Sequence, residues 1–279
     1  MATKKYKCKV CGYIHEGDKA PESCPVCKAP ASEFEEIKEK RSFNKENSAY
    51  IFVYTSVIIV IVSLLLSFTS GALKSRQAVN MELDKKKQIL SSLPAVNLEG
   101  ADAAALYTTY IKKYVMLNAR GEITKEVQDF NYKVSEGEFP LYIAEIEGQT
   151  KYIIPLNGAG LWGAIWGYIA LNDDKNTVYG VYFSHASETP GLGANIVTPK
   201  FRDQFIGKEV MKNGTFASIA VMKAGQMADE QDQVDAISGG TITSKGVESM
   251  LKNCIGNYIT FLKKTTPAEE AVKEGGNTL

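Results

Sequence analysis

Histidine and net charge are the scarce quantities in this chain of 279 residues: two histidines, and 32 basic side chains balanced by 32 acidic ones. His185 has no acid or metal partner spaced for it and reads as an exposed loop residue, His15 reads as a surface residue, and no acid/base pair or nucleophile triad is evident. The zero formal charge leaves no basic surplus, which excludes the electrostatic footprint of a nucleic-acid binder. Internal repeats and low-complexity tracts are absent too. Cysteine is limited to five, and four of these precede residue 28. What remains is an ordinary globular composition, 44% apolar and 23% charged, enough for one sizeable core and a small module.

Another absence organises the chain. No charged side chain occurs between residues 47 and 73, and residues 49–68 read AYIFVYTSVIIVIVSLLLSF, about the length that crosses a bilayer core. The run is apolar on every face and longer than most core helices, and for a cleaved signal it is too long and starts too far along the chain. It predicts a retained single-pass anchor over residues 49–69. The flanking cations barely decide its orientation: Lys38, Lys40, Arg41 and Lys45 lie on one side, Lys74, Arg76 and Lys85, Lys86, Lys87 on the other. The remaining chain divides into a metal-binding module at 1–37, a charged linker at 38–48, an outer domain at 70–265 and a polar tail at 266–279.

The module rests on two Cys-x-x-Cys pairs, Cys8 with Cys11 and Cys24 with Cys27, with twelve residues between the pairs. Two such knuckles can bring four thiolates onto one tetrahedral ion. So small a module can scarcely fold on its own apolar core, and the metal supplies much of its stability. Thiolate ligation suits a reducing compartment, which places this end in the cytoplasm. Sulfur tetrahedra serve both iron and zinc, so the donor set leaves the metal open. The surrounding residues, Cys11-Gly12-Tyr13, His15-Glu16-Gly17, Pro21 and Cys24-Pro25-Val26-Cys27, resemble a short rubredoxin of the kind found in rubrerythrins. That resemblance implies one iron centre carrying one electron; the alternative is a structural zinc ribbon.

Beyond the span, residues 74–93 read as a helix leaving the membrane, and residues 103–117, rich in Ala, Leu and Tyr, as another. Apolar runs at 141–146, 152–156, 165–171 and 178–183, separated by turn residues, predict strands. The outer domain is therefore expected to be α+β. A final helix follows from Val247, Met250, Leu251, Cys254, Ile255, Tyr258, Ile259 and Leu262, which recur at three- and four-residue steps. Cys254 on that stripe reads as a core thiol.

In front of that helix stands Asp235-Ala236-Ile237-Ser238-Gly239-Gly240-Thr241-Ile242-Thr243-Ser244. Small residues before a helix start let an anion approach unpartnered backbone N–H groups, the elements of a phosphate site. Thr243 or Ser244 is expected as the N-cap, with Glu248 in the first turn. The pattern of an acid, Ser, Gly, a small residue and Thr resembles the flavinylation motif of FMN-binding domains in the C subunit of Na+-translocating NADH:quinone reductases and in the G subunit of Rnf complexes. In those families the last Thr carries FMN through a phosphoester bond, which falls here on Thr241; Gly240 stands where they usually have Ala. Glu188-Thr189-Pro190-Gly191-Leu192-Gly193 resembles a second loop of the reductase C subunit, and Gly160-Leu161-Trp162-Gly163 a third segment. By resemblance Glu188, Thr189, Gly191 and Leu192 lie near the flavin ring, Asp235, Ser238, Gly239, Gly240 and Thr243 belong to its site, and Trp162 either leans on the cofactor or packs.

The resemblance, spanning roughly residues 48–265, implies an electron-transfer subunit of a bacterial inner-membrane NADH:quinone oxidoreductase, with covalent FMN, coupling to Na+ and no catalysis by the chain alone. A threonine hydroxyl is a weak nucleophile, so a flavin transferase is implied as a partner, alongside other membrane subunits and an unidentified partner of the rubredoxin-like module. With the N-terminus cytoplasmic and the flavin domain outside, as in the related subunit, a hydrocarbon core of about 30 Å separates the two centres, and other subunits must relay electrons. The competing expectations are an Rnf-type subunit and a zinc-ribbon interaction protein without redox activity.

Overall fold

The computed structural model describes residues 4–37, 48–130 and 132–264. Nearly all of the expected linker, including Lys38, Lys40, Arg41 and Lys45, and the whole of the expected tail lie outside the described residues. Two compact units divide at Leu73 and Lys74.

In the first unit, β1 (Lys4–Cys8), β2 (Ile14–Gly17) and β3 (Phe34–Glu36) form an antiparallel sheet of order β2-β1-β3, with Tyr6 opposite His15 and Cys8 opposite Phe34. The helix α1 (Ser48–Leu90) begins in this unit, and its most apolar window has a mean hydropathy of 2.6 with no residue buried. At 1.5 Å per residue about twenty residues cross a bilayer core, so α1 is long and apolar enough to do so. Its two threonines in this stretch are satisfied internally: the hydroxyls of Thr55 and Thr69 donate to the carbonyls of Ile51 and Leu65 at 2.8 and 2.9 Å.

The second unit is the α+β domain. Asp102 caps α2 (Ala103–Tyr110) by accepting the N–H of Ala104 at 2.9 Å. The helix expected over 103–117 stops at Tyr110, and β4 (Ile111–Leu117) continues the chain. Tyr114, Val115 and Met116 gain burial on both sides of a sheet, and ladder pairing, such as Val115 with Leu141, overrides helix propensity. There follow β5 (Ile123–Glu126), β6 (Phe139–Ile146), β7 (Gln149–Ala159), β8 (Ala164–Leu171) and β9 (Val178–His185). Five antiparallel pairings join these in the order β5-β4-β6-β7-β8-β9. The four predicted strands are present and longer than their apolar runs.

The rest of the chain folds onto one face: α3 (Pro199–Arg202), the hairpin β10 (Met211–Lys212) and β11 (Thr215–Phe216), the parallel pair β12 (Ile219–Met222) and β13 (Asp232–Asp235), then α4 (Thr241–Gly256) and α5 (Ile259–Leu262). Val247, Met250, Leu251 and Ile255 of α4 pack with Val115, Ile154, Ile169 and Phe183. The opposite face of the sheet packs Met116, Ile153, Tyr168 and Ala170 with Ile89, Leu90 and Leu93. Adjacent residues such as Ile153 and Ile154 thus serve different cores, which is why these strands read as continuous apolar runs.

Glycines set how closely α4 approaches the sheet. A Cβ on Gly158 would lie 2.7 Å from the Cβ of Met250, and one on Gly246 would lie 2.4 Å from the carbonyl oxygen of Ala159. The first turns of α4 therefore lie directly on the end of β7. Gly246→Ala ought to improve helix propensity by about 1 kcal/mol, yet here it must push the helix off the strand. Overpacking of that kind costs about 1–3 kcal/mol, so urea unfolding of the full chain in detergent is expected to show a net loss; a gain would mean the contact is not tight.

Candidate functional site

The two cysteine knuckles repeat one geometry. The N–H of Cys8 donates to the carbonyl of Tyr13 and that of Gly12 to the carbonyl of Cys8; likewise Cys24 to Ala29 and Lys28 to Cys24, all at 2.8 or 2.9 Å. The fifth residue of each loop is left-handed, Gly12 with φ 78° and Lys28 with φ 60°. Backbone N–H groups point at the sulfurs, Tyr13 to Cys11, Val26 and Cys27 to Cys24, and Ala29 to Cys27. Burial raises the Cys24 thiol, but these donors outweigh it and hold the group down at about 7.

The Sγ atoms of Cys8 and Cys27 are 3.7 Å apart, those of Cys11 and Cys24 3.5 Å, and all four lie within 4.8 Å of one another. These separations exceed a disulfide bond and match a tetrahedron: bonds of about 2.3 Å from sulfur to a central ion give edges of about 3.8 Å. The site fits one thiolate-bound ion.

In the second unit the turn before α4 is built by its small residues. Gly239 is left-handed, with φ 74°. Gly240 is the N-cap, with φ −111°, and offers no side chain to the first N–H groups of α4. A Cβ on Gly240 would meet Ile237 Cγ2 at 3.1 Å and the nitrogen of Gly193 at 3.2 Å, so Ala there would require a shift of only a few tenths of an ångström. Thr241 is the first helical residue, and its side chain is exposed. The helix therefore starts earlier than expected, and neither Thr243 nor Ser244 is its cap. The Ser244 hydroxyl instead accepts the N–H of Ile237 at 3.0 Å, closing the turn. Glu248 also lies past the first turn, where it accepts the N–H of Val221 at 2.9 Å and the Lys245 ammonium at 2.6 Å.

Three sequence-distant segments converge on Glu188. Its carboxylate is 4% exposed, accepts the Thr243 hydroxyl at 2.6 Å and the N–H of Trp162 at 2.8 Å, and is also bonded by the N–H groups of Leu161 and Gly163. Burial alone would raise its pKa; the Thr243 hydroxyl and the three amides prevail and hold it below the ordinary carboxylate value. Backbone approaches from two sides: a Cβ on Gly160 or Gly193 would lie 2.4 Å from a Glu188 oxygen. His185, expected as an exposed loop residue, is half-buried, and its Nδ1 accepts the N–H of Glu188 at 3.2 Å.

The named residues divide into two sets. Glu188, Thr243 and Gly240 face inward, whereas Thr189, Gly191, Leu192, Trp162, Ser238, Gly239 and Thr241 are exposed. Asp235 is exposed at the end of β13, where its N–H donates to Gln204 at 2.8 Å. Leu192 reaches Gly239, so the two glycine loops touch. Trp162, 67% exposed, and Ile242, 59% exposed, are apolar surface in this same part of the domain. Beside Ile242 a cleft of about 400 Å³ runs between α4 and the end of β7. Cys254, expected in the core, is half-buried and bonded to the backbone of Asn157 at 3.3 Å. The carboxylate clasp escaped the sequence reading because Glu188 and Thr243 are linked only through the fold; the one available signal was that both stand in glycine-rich motifs.

Comparisons with known proteins fall on the same regions. A family model described as an FMN-binding domain matches residues 160–256, and one described as a rubrerythrin, rubredoxin-like domain matches residues 6–35. The Na(+)-translocating NADH-quinone reductase C subunit of Haemophilus ducreyi is 28% identical over 255 residues, 81% of this chain and 98% of that protein. Its counterpart in Pseudomonas aeruginosa is 28% identical over 76% of this chain and 93% of its own length. The crystal structure of the Parabacteroides distasonis C subunit is 45% identical, with a TM-score of 0.66, covering 70% of this chain and 98% of that one. A Shewanella oneidensis structure, at 21% identity and a TM-score of 0.57, shares the fold over 67% of this chain and 100% of its own.

Because its pKa is depressed in the folded protein, Glu188 adds stability that is fully present above the unfolded-state value and is lost as pH falls through the folded one. Glu188→Gln removes a buried, charge-assisted set of bonds and is expected to cost about 1–3 kcal/mol at pH 7. In urea titrations that difference should shrink as the pH drops below the ordinary carboxylate range; a difference independent of pH would show that the charge is not what holds the segments.

Proposed function

Since this chain belongs to the family of the Na(+)-translocating NADH-quinone reductase C subunit, we propose that it is a membrane-anchored electron-transfer subunit whose FMN is bonded through its phosphate to Thr241. One observation carries the assignment of the residue. Of the two motif threonines, Thr243 commits its hydroxyl to Glu188, while Thr241 presents its side chain to solvent at a helix start without a side-chain cap. The open N–H groups there suit the phosphate diester. Gly239 and Gly240 let the group come close, and Trp162 and Leu192 supply exposed apolar surface for an aromatic ring system. Asp235 and Ser238, exposed on the approach to Thr241, are assigned to recognition of this segment by the flavin transferase.

When bound, FMN supplies the redox chemistry. The residues of this chain hold and orient it: the Glu188 clasp keeps the loop at 160–163 and the first turn of α4 in one arrangement, so that the attachment residue and the apolar side chains stay in register. Na+ coupling, like quinone reduction, belongs to the assembled complex, with other membrane subunits as partners. The anchor is assigned to residues 49–69, with the N-terminal module cytoplasmic and the flavin domain outside. For the four-cysteine site, the rubredoxin-like match supports iron over zinc.

Two measurements test these assignments. Coexpressed with a flavin transferase, the chain is expected to give a fluorescent band in a denaturing gel, and Thr241→Leu to abolish it; a band of undiminished intensity in that variant moves the attachment elsewhere. Chain purified with its native metal should be red, with visible absorbance that disappears when Cys11→Ser and Cys27→Ser break the shell. Colourless protein with one equivalent of zinc would make the module a structural ribbon.

A further inference from the structure

The N-terminal module is polarised in a way that neither the metal site nor the family assignment requires. Its described residues hold six lysines and six acids, so it has no net charge, yet the segments at 9–14 and 23–31 contain two lysines, Lys9 and Lys28, and no acid. Two of the three lysines on β1 are neutralised, Lys4 by Glu36 at 3.1 Å and Lys5 by Glu16 at 3.6 Å; Lys7 makes no ion pair among the described residues. Lys9 and Lys28 are exposed, and among the described residues neither makes an ion pair.

Each knuckle loop that carries one of these cations also carries an exposed valine. Val10 and Val26, the third residue of each knuckle, are 63% and 67% exposed, where core packing gives them no role. Cys11 is the one fully exposed member of the ligand set, while Cys8 and Cys24 are buried. A protein seated here is separated from the metal position by a single thiolate rather than by the sheet.

We propose that this knuckle face is the docking surface for an acidic one-electron carrier protein, whose carboxylate rim meets Lys9 and Lys28 and whose apolar centre covers Val10 and Val26. The inference deepens the electron-transfer reading of the four-cysteine site and rests on it. Charge complementarity selects the partner: with two unpaired cations and no acid inside either knuckle loop, the nearest acids being Glu22 and Glu33 at their edges, the face repels a basic carrier and steers an acidic one. In the transfer one electron leaves the reduced carrier and is taken up at the metal site, with no bond made and no proton required. The two lysines steer encounter and register, and the two valines exclude water beside them.

The test uses the full chain in a nanodisc of neutral lipid, with purified flavodoxin as the acidic carrier and a basic cytochrome c as its opposite. Binding is read by fluorescence anisotropy of the labelled carrier and repeated with zinc in the site. Affinity therefore does not depend on which metal is native, and a failure of the iron assignment, read from absorbance, stays distinct from a failure of docking. Flavodoxin should bind with a Kd that rises with salt, and the charge reversals Lys9→Glu with Lys28→Glu should weaken it by about tenfold or more. The same number of reversals at Lys19 and Lys133 should leave it within about twofold. Val10→Ser with Val26→Ser should weaken binding while keeping the salt dependence. Equal binding by cytochrome c, a salt-independent Kd, or indifference to both knuckle variants would overturn the proposal. So would loss of the carrier complex on changing the disc to anionic lipid, since that would give the face to the bilayer.

Discussion

One buried carboxylate connects the parts of the flavin domain that sequence separates. Glu188 gathers the N–H groups of residues 161–163 from the tip between β7 and β8 and the Thr243 hydroxyl from the first turn of α4. An ionised group at this depth persists only if its hydration is replaced, and four donors replace it. The glycines at 160 and 193 are part of the same constraint, because any side chain there would occupy the space of a carboxylate oxygen. Without the charge, the Leu192 contact, the backbone of Gly193 and the packing of Ile196 with Val247 remain between the two motif loops, none of which ties them to residues 161–163.

Around that clasp the domain is a sheet buried on both faces, with α4 pressed onto β7 through Gly158 and Gly246. The close approach fixes where the helix can begin. A helix start placed this rigidly, with no side chain over its first amides and one threonine turned outward, is a place where an anionic group can be held without reorganising the protein. The N-terminal module is stabilised differently. It has almost no core, and its two knuckles are preorganised by matching backbone bonds and left-handed residues so that four sulfurs converge. There an ion held by the four thiolates, rather than apolar burial, would supply most of the stability.

Much of this could be read from the chain. The cysteine spacing, the uncharged apolar run, the helix stripe from Val247 to Ile255 and four strands were legible because each is a local pattern with a short period, although the expected single helix breaks at Asn257 and Tyr258, so that Ile259 and Leu262 fall on α5. Where local propensity and long-range pairing disagreed, the reading failed. The stretch from Ile111 to Leu117 looked helical in continuity with its neighbours, but both faces of that segment are buried once it joins β6. The short strands β10 to β13 carry too few residues for any period to show. At the flavin loop the composition announced a turn, while the identity of the cap and the inward role of Thr243 depended on a partner 55 residues away.

The sequence by itself determined the division into a thiolate module, an apolar span and an α+β domain, and the identity of the motif residues, because covalent spacing and hydrophobic period are properties of the chain alone. Tertiary structure decided which threonine faces solvent and which is bound to Glu188, where the last helix starts, and that Lys9 and Lys28 are unpaired while Lys4 and Lys5 are not. Those outcomes turn on which groups meet across the fold, and a buried charge takes whatever donors the packing brings within reach.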